Sequence, residues 1–321
     1  MLLNVKSSLI VLVVAWLALS CRHAPTGSTD EASPAALLHE TTGWTIDHVA
    51  EGLVRHHYEG YDSISSARQN VNVVAVDLDE YQLRFADARP SDSLSSIAAA
   101  HDGAVAAING TYYELFTDSS GKQTQSSFFK ADGNVASTVT ITEGHRYFWK
   151  HEGAFFYDPA GRQWGIVYGD KASYEVMPYA NVLSGAPMLV YDYQPVGETF
   201  AKRRTEPLDS LDYEDPDRHQ GVRHPRTAVA ITGDAHLLLI TVDGRRPETA
   251  GMSARELTRF IAHYFNPRYM LNLDGGGSTT LWMESADSQN AVVNYPTDNK
   301  RYDHFGQRSI RNAIMVLKKS R

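Results

Sequence analysis

Apolar positions along this chain follow two periods, and each period predicts a different kind of element. Residues 73–78 and 82–86 are short runs rich in β-branched and aliphatic side chains, broken at Asp79-Glu80, and predict two strands. Residues 93–100 predict a short helix, and 105–108 a buried strand running into Asn109-Gly110. From 128 to 191 apolar and polar residues alternate among frequent Gly, Asn and Asp, which predicts antiparallel strands and hairpins. Residues 236–242 predict a strand ending at Asp243-Gly244, and 269–273 another ending at Asp274-Gly275-Gly276-Gly277. Between them Ser253 and Glu256 have capping-box spacing, Leu257, Phe260, Ile261 and Tyr264 form one helical stripe, and Pro267 stops the run. Strand, helix, strand in this order is a crossover unit, so the two strands should run parallel in one sheet with their carboxyl ends opening on one side. Asp243 and Asp274 then face one crevice, where open α/β sheets bind ligands. The expected class is α+β: a mixed sheet core with flanking helices, including this C-terminal crossover. Residues 203–220 are polar and acid-rich with no apolar face, and read as a solvated surface loop, with a place beside the site as the other reading.

The N-terminus has a different pattern. Residues 1–6 carry one positive charge, 9–19 are an apolar run, and Ala18-Leu19-Ser20-Cys21 follows. This resembles a bacterial lipoprotein signal, although Ala18 stands where leucine is usual. The resemblance implies a signal peptide over 1–20, removal of it before Cys21, and a lipid on the chain's one cysteine. The expected location is the bacterial cell envelope, with the membrane as a partner through Cys21. Residues 22–34 are rich in Pro, Ser, Thr and Gly, so 21–43 reads as a lipidated, flexible tether. No comparable linker or repeat follows Trp44, which predicts one domain over 44–321.

Composition narrows the function classes. The 321 residues are 42% hydrophobic and 21% charged, as in an ordinary globular chain, with a formal charge of −8. That balance argues against nucleic acid as the partner, because phosphate-backbone binding needs a basic surface. A few local arginines can still hold an anionic substrate. No HExxH motif and no spaced Cys/His set is present, so neither a dedicated metal site nor a cofactor is expected.

Three segments carry candidate chemistry. Asp274-Gly275-Gly276-Gly277-Ser278-Thr279 joins an acid, a flexible backbone and two hydroxyls, and reads either as a cradle for an anionic oxygen or as a plain turn after a strand. It lacks the lysine of a P-loop. Arg226 precedes the apolar run 228–232, at a strand entrance, where a guanidinium can take a phosphate or carboxylate bidentately or make a surface salt bridge. Asn109-Gly110-Thr111 reads as a hairpin turn. His56 and His57 point to opposite faces of a strand and cannot share a metal.

Taken together, Ala107-Ile108-Asn109-Gly110-Thr111-Tyr112, Ser184-Gly185-Ala186-Pro187, His224-Pro225-Arg226-Thr227-Ala228, Val242-Asp243-Gly244-Arg245, Asn272-Leu273-Asp274-Gly275-Gly276-Gly277-Ser278-Thr279-Thr280 and Arg308-Ser309-Ile310-Arg311-Asn312-Ala313 resemble the phosphodiester glycosidase family. That family includes the uncovering enzyme of lysosomal targeting and bacterial exopolysaccharide-related proteins. The resemblance spans 93–317 and departs from the family pattern at Ala186 and at Gln307, where an acid is often found. It implies hydrolysis of sugar-1-phosphodiesters at the sugar C1–O bond, releasing the sugar and leaving a phosphomonoester. The substrate partner is then a glycan or sugar phosphodiester. Arg226 and Arg308 are expected to clamp the departing phosphate. Asp243 and Asp274 are expected to act at C1 as nucleophile or base, in an unassigned order. Asn109, Gly110, Gly275, Gly276, Ser278 and Thr279 are expected to hold sugar hydroxyls or phosphate oxygens. Two other readings stay open: a non-catalytic envelope polysaccharide-binding lipoprotein, and a metal-dependent phosphodiesterase with Asp243 and Asp274 as ligands.

Overall fold

The computed structural model describes residues 38–319 except 114, 118–119, 122 and 200–206. The expected signal peptide, Cys21 and most of the tether therefore lie outside the described residues. The region expected as one domain falls within one compact unit, Ala32–Arg321.

The architecture is α+β. Its centre is a seven-stranded sheet in the order Trp44–Ala50, Leu53–Asp62, Ala67–Val76, Leu237–Val242, Arg226–Ile231, Tyr269–Asn272, Met188–Tyr191. A four-stranded sheet runs Leu281–Met283, Ala104–Asn109, Ile310–Lys318, Tyr81–Asp92. The middle of the chain supplies a five-stranded antiparallel sheet that includes Gly153–Asp158 and Asn181–Gly185, as its alternating pattern predicts.

Strand alternation explains how these layers pack. Val229, Leu239 and Leu271 on one face of the seven-stranded sheet meet Phe85, Ile108 and Ile314 of the four-stranded sheet and Phe155 of the five-stranded one. Ala228, Ile240 and Met270 on the other face meet the helix Ala254–Phe265 through Leu257, Phe260, Ile261 and Tyr264. Each such fully buried large side chain contributes about 1.5–3 kcal/mol. The capping box of this helix is formed: the Ser253 hydroxyl accepts from Glu256 N–H, and the Glu256 carboxylate accepts from Ser253 N–H. Its C-terminus closes on Asn266 in the left-handed conformation, one residue before Pro267.

The crossover strands run as expected, parallel in one sheet, with one strand between them. Leu237–Val242 and Tyr269–Asn272 both pair antiparallel with Arg226–Ile231, which lies between them, so they are parallel to one another at one strand's remove. Residue 226 is opposite Val242, and Ala228 is opposite Asn272. The carboxyl ends of the outer strands and the start of the middle strand therefore share one sheet edge.

Two local expectations are corrected. Asn109 does not begin a hairpin: its strand pairs with Ile310–Lys318 and Leu281–Met283, both distant in sequence. The polar stretch 203–220 is not wholly a solvated loop. Its end forms the short helix Pro216–Gly221, capped by Asp215, and Gln220 is fully buried because it meets a buried guanidinium.

Candidate active site

Asp274 lies just past the end of its strand and is half-buried. Its backbone is fixed from both sides: the N–H donates to Gly110 O at 3.2 Å, and the carbonyl accepts from Asn109 Nδ2 at 2.7 Å. The following turn needs glycine. Gly276 has φ +63°, and a Cβ there would lie 3.1 Å from Arg245 Nη2. A Cβ at Gly277 would lie 2.6 Å from Arg308 Nη2. Two guanidinium groups thus rest directly on consecutive residues of the turn, and a side chain at either position would push one away.

Both cations are exposed enough to meet a ligand. Arg245 donates from Nη2 to the Tyr213 hydroxyl at 2.9 Å and to His224 Nδ1 at 3.2 Å. It holds a left-handed backbone, φ 62°, which disfavours residues other than glycine and here aims the side chain back over the turn. Arg308 is paired with Asp298, Nη2 to Oδ1 at 2.6 Å, and feels the charge of Asp274 as well. A planar cation on each side of a glycine turn, with a carboxylate at its start, suits an anionic group whose oxygens accept several bonds together.

The remaining sequence candidates divide by what they touch. Arg226 is at the same edge but is 1% exposed, and its guanidinium is engaged by protein acceptors. Nε donates to Met252 O at 2.8 Å, Nη2 to His219 O at 2.8 Å and Val222 O at 3.1 Å, and Nη1 to Gln220 Oε1 at 3.4 Å. Alternation puts it on the helix-covered face with Ala228 and Val242, whereas Asp243 follows Leu237 and Leu239 onto the opposite face. Thus Arg226 fastens the 216–222 segment and the 251–252 turn to the sheet. The reading of it as a surface salt bridge fails, because it is buried and bonded to carbonyls.

Asn109 is likewise internal: Oδ1 accepts from Thr227 Oγ1 at 2.8 Å and Thr280 N–H at 3.1 Å. It ties three strand ends together beneath the turn. Gly110 donates to Asn312 O at 3.0 Å, and Gly276 N–H donates to Pro225 O at 2.9 Å, so neither amide points to a ligand. Gly275 is half-buried at the head of the turn. Thr279 Oγ1 meets Thr227 Oγ1 at 3.3 Å, and Ser278 Oγ is buried without a hydrogen-bond partner among the described residues. Gln307, where an acid is often found in the resembling family, is bonded to Ser95 through both amide atoms.

Asp243 stands behind the turn. It is 1% exposed, and its oxygens accept from Asn294 Nδ2 at 2.8 Å and Tyr295 N–H at 3.1 Å. Asn294 Nδ2 also reaches Thr279 O at 3.1 Å, linking the carboxylate to the far end of the turn. Burial pushes the Asp243 carboxyl up to about 7, against the lowering effect of those two bonds. An unfolded aspartate titrates near 3.9, so between about pH 4 and 7 the folded chain keeps a proton that the unfolded chain releases. This contribution to stability is full below the unfolded value and is lost as pH rises through about 7. Asp243→Asn cannot ionise. Relative to it, the wild type should lose about 1–4 kcal/mol of stability between about pH 4.5 and 7.5. Urea unfolding of both proteins at the two pH values measures this, and a pH-independent difference would contradict the Asp243 assignment.

Sequence reasoning missed Arg245, although it belongs to the quoted Val242-Asp243-Gly244-Arg245 segment, and it missed a group of rings near Arg226. Tyr112, Trp149, His219, Tyr213 and His224 contact one another edge-on or tilted, and buried Lys150 lies over the Tyr112 and Tyr147 rings while pairing with Glu214 at 3.0 Å. These residues come from three distant segments, so no local pattern joins them.

The chain matches a family model described as phosphodiester glycosidase over residues 102–317. Among solved structures it is similar to the catalytic domain of zebrafish N-acetylglucosamine-1-phosphodiester alpha-N-acetylglucosaminidase, auto-inhibited by its pro-peptide, with a TM-score of 0.60 at 17% identity, covering 93% of this chain and 96% of that one. It is also similar to a hypothetical protein from Synechocystis, with a TM-score of 0.53 at 14% identity, covering 86% of this chain and 64% of that one. Among curated proteins none matches significantly.

Proposed function

This chain belongs to the phosphodiester glycosidase family, and we propose that it hydrolyses the sugar C1–O bond of sugar-1-phosphodiesters on envelope or environmental glycans. The observation that carries this reading is the convergence of Asp274, Arg245 and Arg308 on the glycine turn 275–277. A phosphate leaves more readily than a sugar alkoxide, so the departing group needs cations more than a strong acid. Arg245 and Arg308 supply them. Asp274 serves the anomeric carbon, as base for water or as nucleophile, while oxocarbenium character develops. Water's oxygen ends on C1, the C1–O electron pair leaves with the phosphate, and the water's proton passes to the carboxylate. Arg226, Asn109 and Asp243 act as positioning residues that hold the turn and its neighbours.

The test is hydrolysis of a panel of sugar-1-phosphodiesters in ¹⁸O-labelled water. Label in the released sugar is expected. Label in the phosphate would assign P–O cleavage instead, and no turnover with retained glycan binding would assign a recognition protein. We propose further that the chain is held at the bacterial envelope by a lipid on Cys21. Cys21→Ser should move the protein from the membrane to the soluble fraction, and an unlipidated, soluble wild type would sink this idea.

A further inference from the structure

A second carboxylate reaches the glycine turn from a loop distant in the chain. Thr297 bridges to Gly306, and Asp298 N–H donates to Gly306 O at 3.0 Å, which fixes the backbone of Asp298. A Cβ on Gly277 would lie 2.5 Å from Asp298 Oδ1, so this carboxylate rests on the turn beside the Arg308 guanidinium. Arg308 donates to that one oxygen from Nε at 3.1 Å and from Nη2 at 2.6 Å. Nε and Nη2 share one edge of the planar group, and Nη1, on the other side, makes no hydrogen bond among the described residues. The two side chains are 43% and 41% exposed, so the pair is open to a ligand. As an exposed ion pair it adds little to stability. Its consequence is for the charge of the site, because Asp274 acts on the same guanidinium. Two cations, Arg245 and Arg308, and two carboxylates, Asp274 and Asp298, therefore meet at one turn.

We infer that Asp298 sets the charge preference of the site: it lets the arginines hold a singly charged phosphodiester and weakens their grip on the more highly charged monoester. This rests on the proposed reading of the site as one for a phosphodiester. A diester carries one negative charge, whereas a monoester carries about 1.5–2 at pH 7. Two arginines without opposing charge would bind the monoester more tightly than the diester, and hydrolysis at C1–O would leave the enzyme holding its own product. An anion on the free side of Arg308 is separated from Asp298 by one guanidinium group, well within the Debye length of about 8 Å. The repulsion grows with the charge on the ligand, so Asp298 opposes the monoester more than the diester without touching either.

The readout is a ratio of two affinities, because any loss of Arg308 orientation weakens both ligands and cancels in it. Wild type, Asp298→Asn and Asp298→Glu are titrated by protein NMR with methyl phosphate and with dimethyl phosphate at about pH 8, above the second phosphate pKa of about 6. In Asp298→Asn, which keeps the acceptor oxygen and removes the charge, the preference for methyl phosphate over dimethyl phosphate should rise at least ~5-fold. In Asp298→Glu, which keeps the charge, that preference should stay within about twofold of wild type. Both ligands weakened alike in Asp298→Asn would make Asp298 only a holder of Arg308, and an unchanged ratio with unchanged affinities would make it a surface ion pair. Either result overturns the inference. The predicted shift in ratio without hydrolysis of any sugar-1-phosphodiester would reject the proposed reaction and retain the role of Asp298. Failure of the wild type to bind either phosphate would reject the clamp and the inference together.

Discussion

Asp274→Asn should lower kcat on a sugar-1-phosphodiester by ~10²–10⁴, the range typical of removing a positioned proton-transfer group. The substitution keeps shape and removes only the charge. The residue is half-buried, and the variant keeps the backbone bonds to Gly110 O and from Asn109 Nδ2. Unfolding temperature should therefore stay close to wild type while turnover collapses. KM should change much less than kcat, because the carboxylate acts on the charge that develops at C1 rather than on the bound ground state. A folded Asp274→Asn variant with near-wild-type kcat would remove Asp274 from the chemistry and with it most of the mechanism.

Arg245→Ala should cost ~10²–10³ in kcat, as does loss of one preorganised donor to a developing anion. Arg308→Ala belongs in the same range, and Arg245→Lys should recover little of the loss, since lysine keeps the charge without the planar fork. Arg226→Ala should behave differently. Its guanidinium donates to the carbonyls of Met252, His219 and Val222; Met252 O keeps the His224 N–H, so the variant leaves two part-buried acceptors without that donor and should lose about 2 kcal/mol of stability or more, from ~1–3 kcal/mol for each. Kinetics paired with urea unfolding distinguish the two effects. Full stability with collapsed kcat in Arg226→Ala would return the phosphate clamp to Arg226, and undiminished kcat in Arg245→Ala would remove Arg245 from it.

The distinction between Arg226 and Arg245 shows where sequence reading reaches its limit. Both stand in distinctive segments beside strand ends, and strand ends are visible because alternation, capping boxes and glycine turns are local properties of the chain. The helix Ala254–Phe265, its Ser253–Glu256 box and the strands that end at Asp243 and Asp274 follow from spacing alone. So does the α+β class. The common direction of those two strands also follows, since a strand, helix and strand in one sheet return the chain to the same edge.

What the sequence by itself could not decide is which strand lies between them and which way each edge side chain turns. Arg226–Ile231 enters between the two crossover strands by pairings that join residues distant in the chain, and its register sends Arg226 to the helix-covered face. One residue of register would reverse that facing, because side chains on a strand alternate. The same non-local packing brings Tyr112 and Trp149 onto His219, the neighbour of His224, from two segments whose own patterns give no sign of it. The sequence determined the elements and the edge at which their polar ends gather. Tertiary packing alone decided that Arg226 is enclosed by carbonyls while Arg245 and Arg308 rest on the glycine turn, because burial and hydrogen-bond partners depend on neighbours that chain order does not specify.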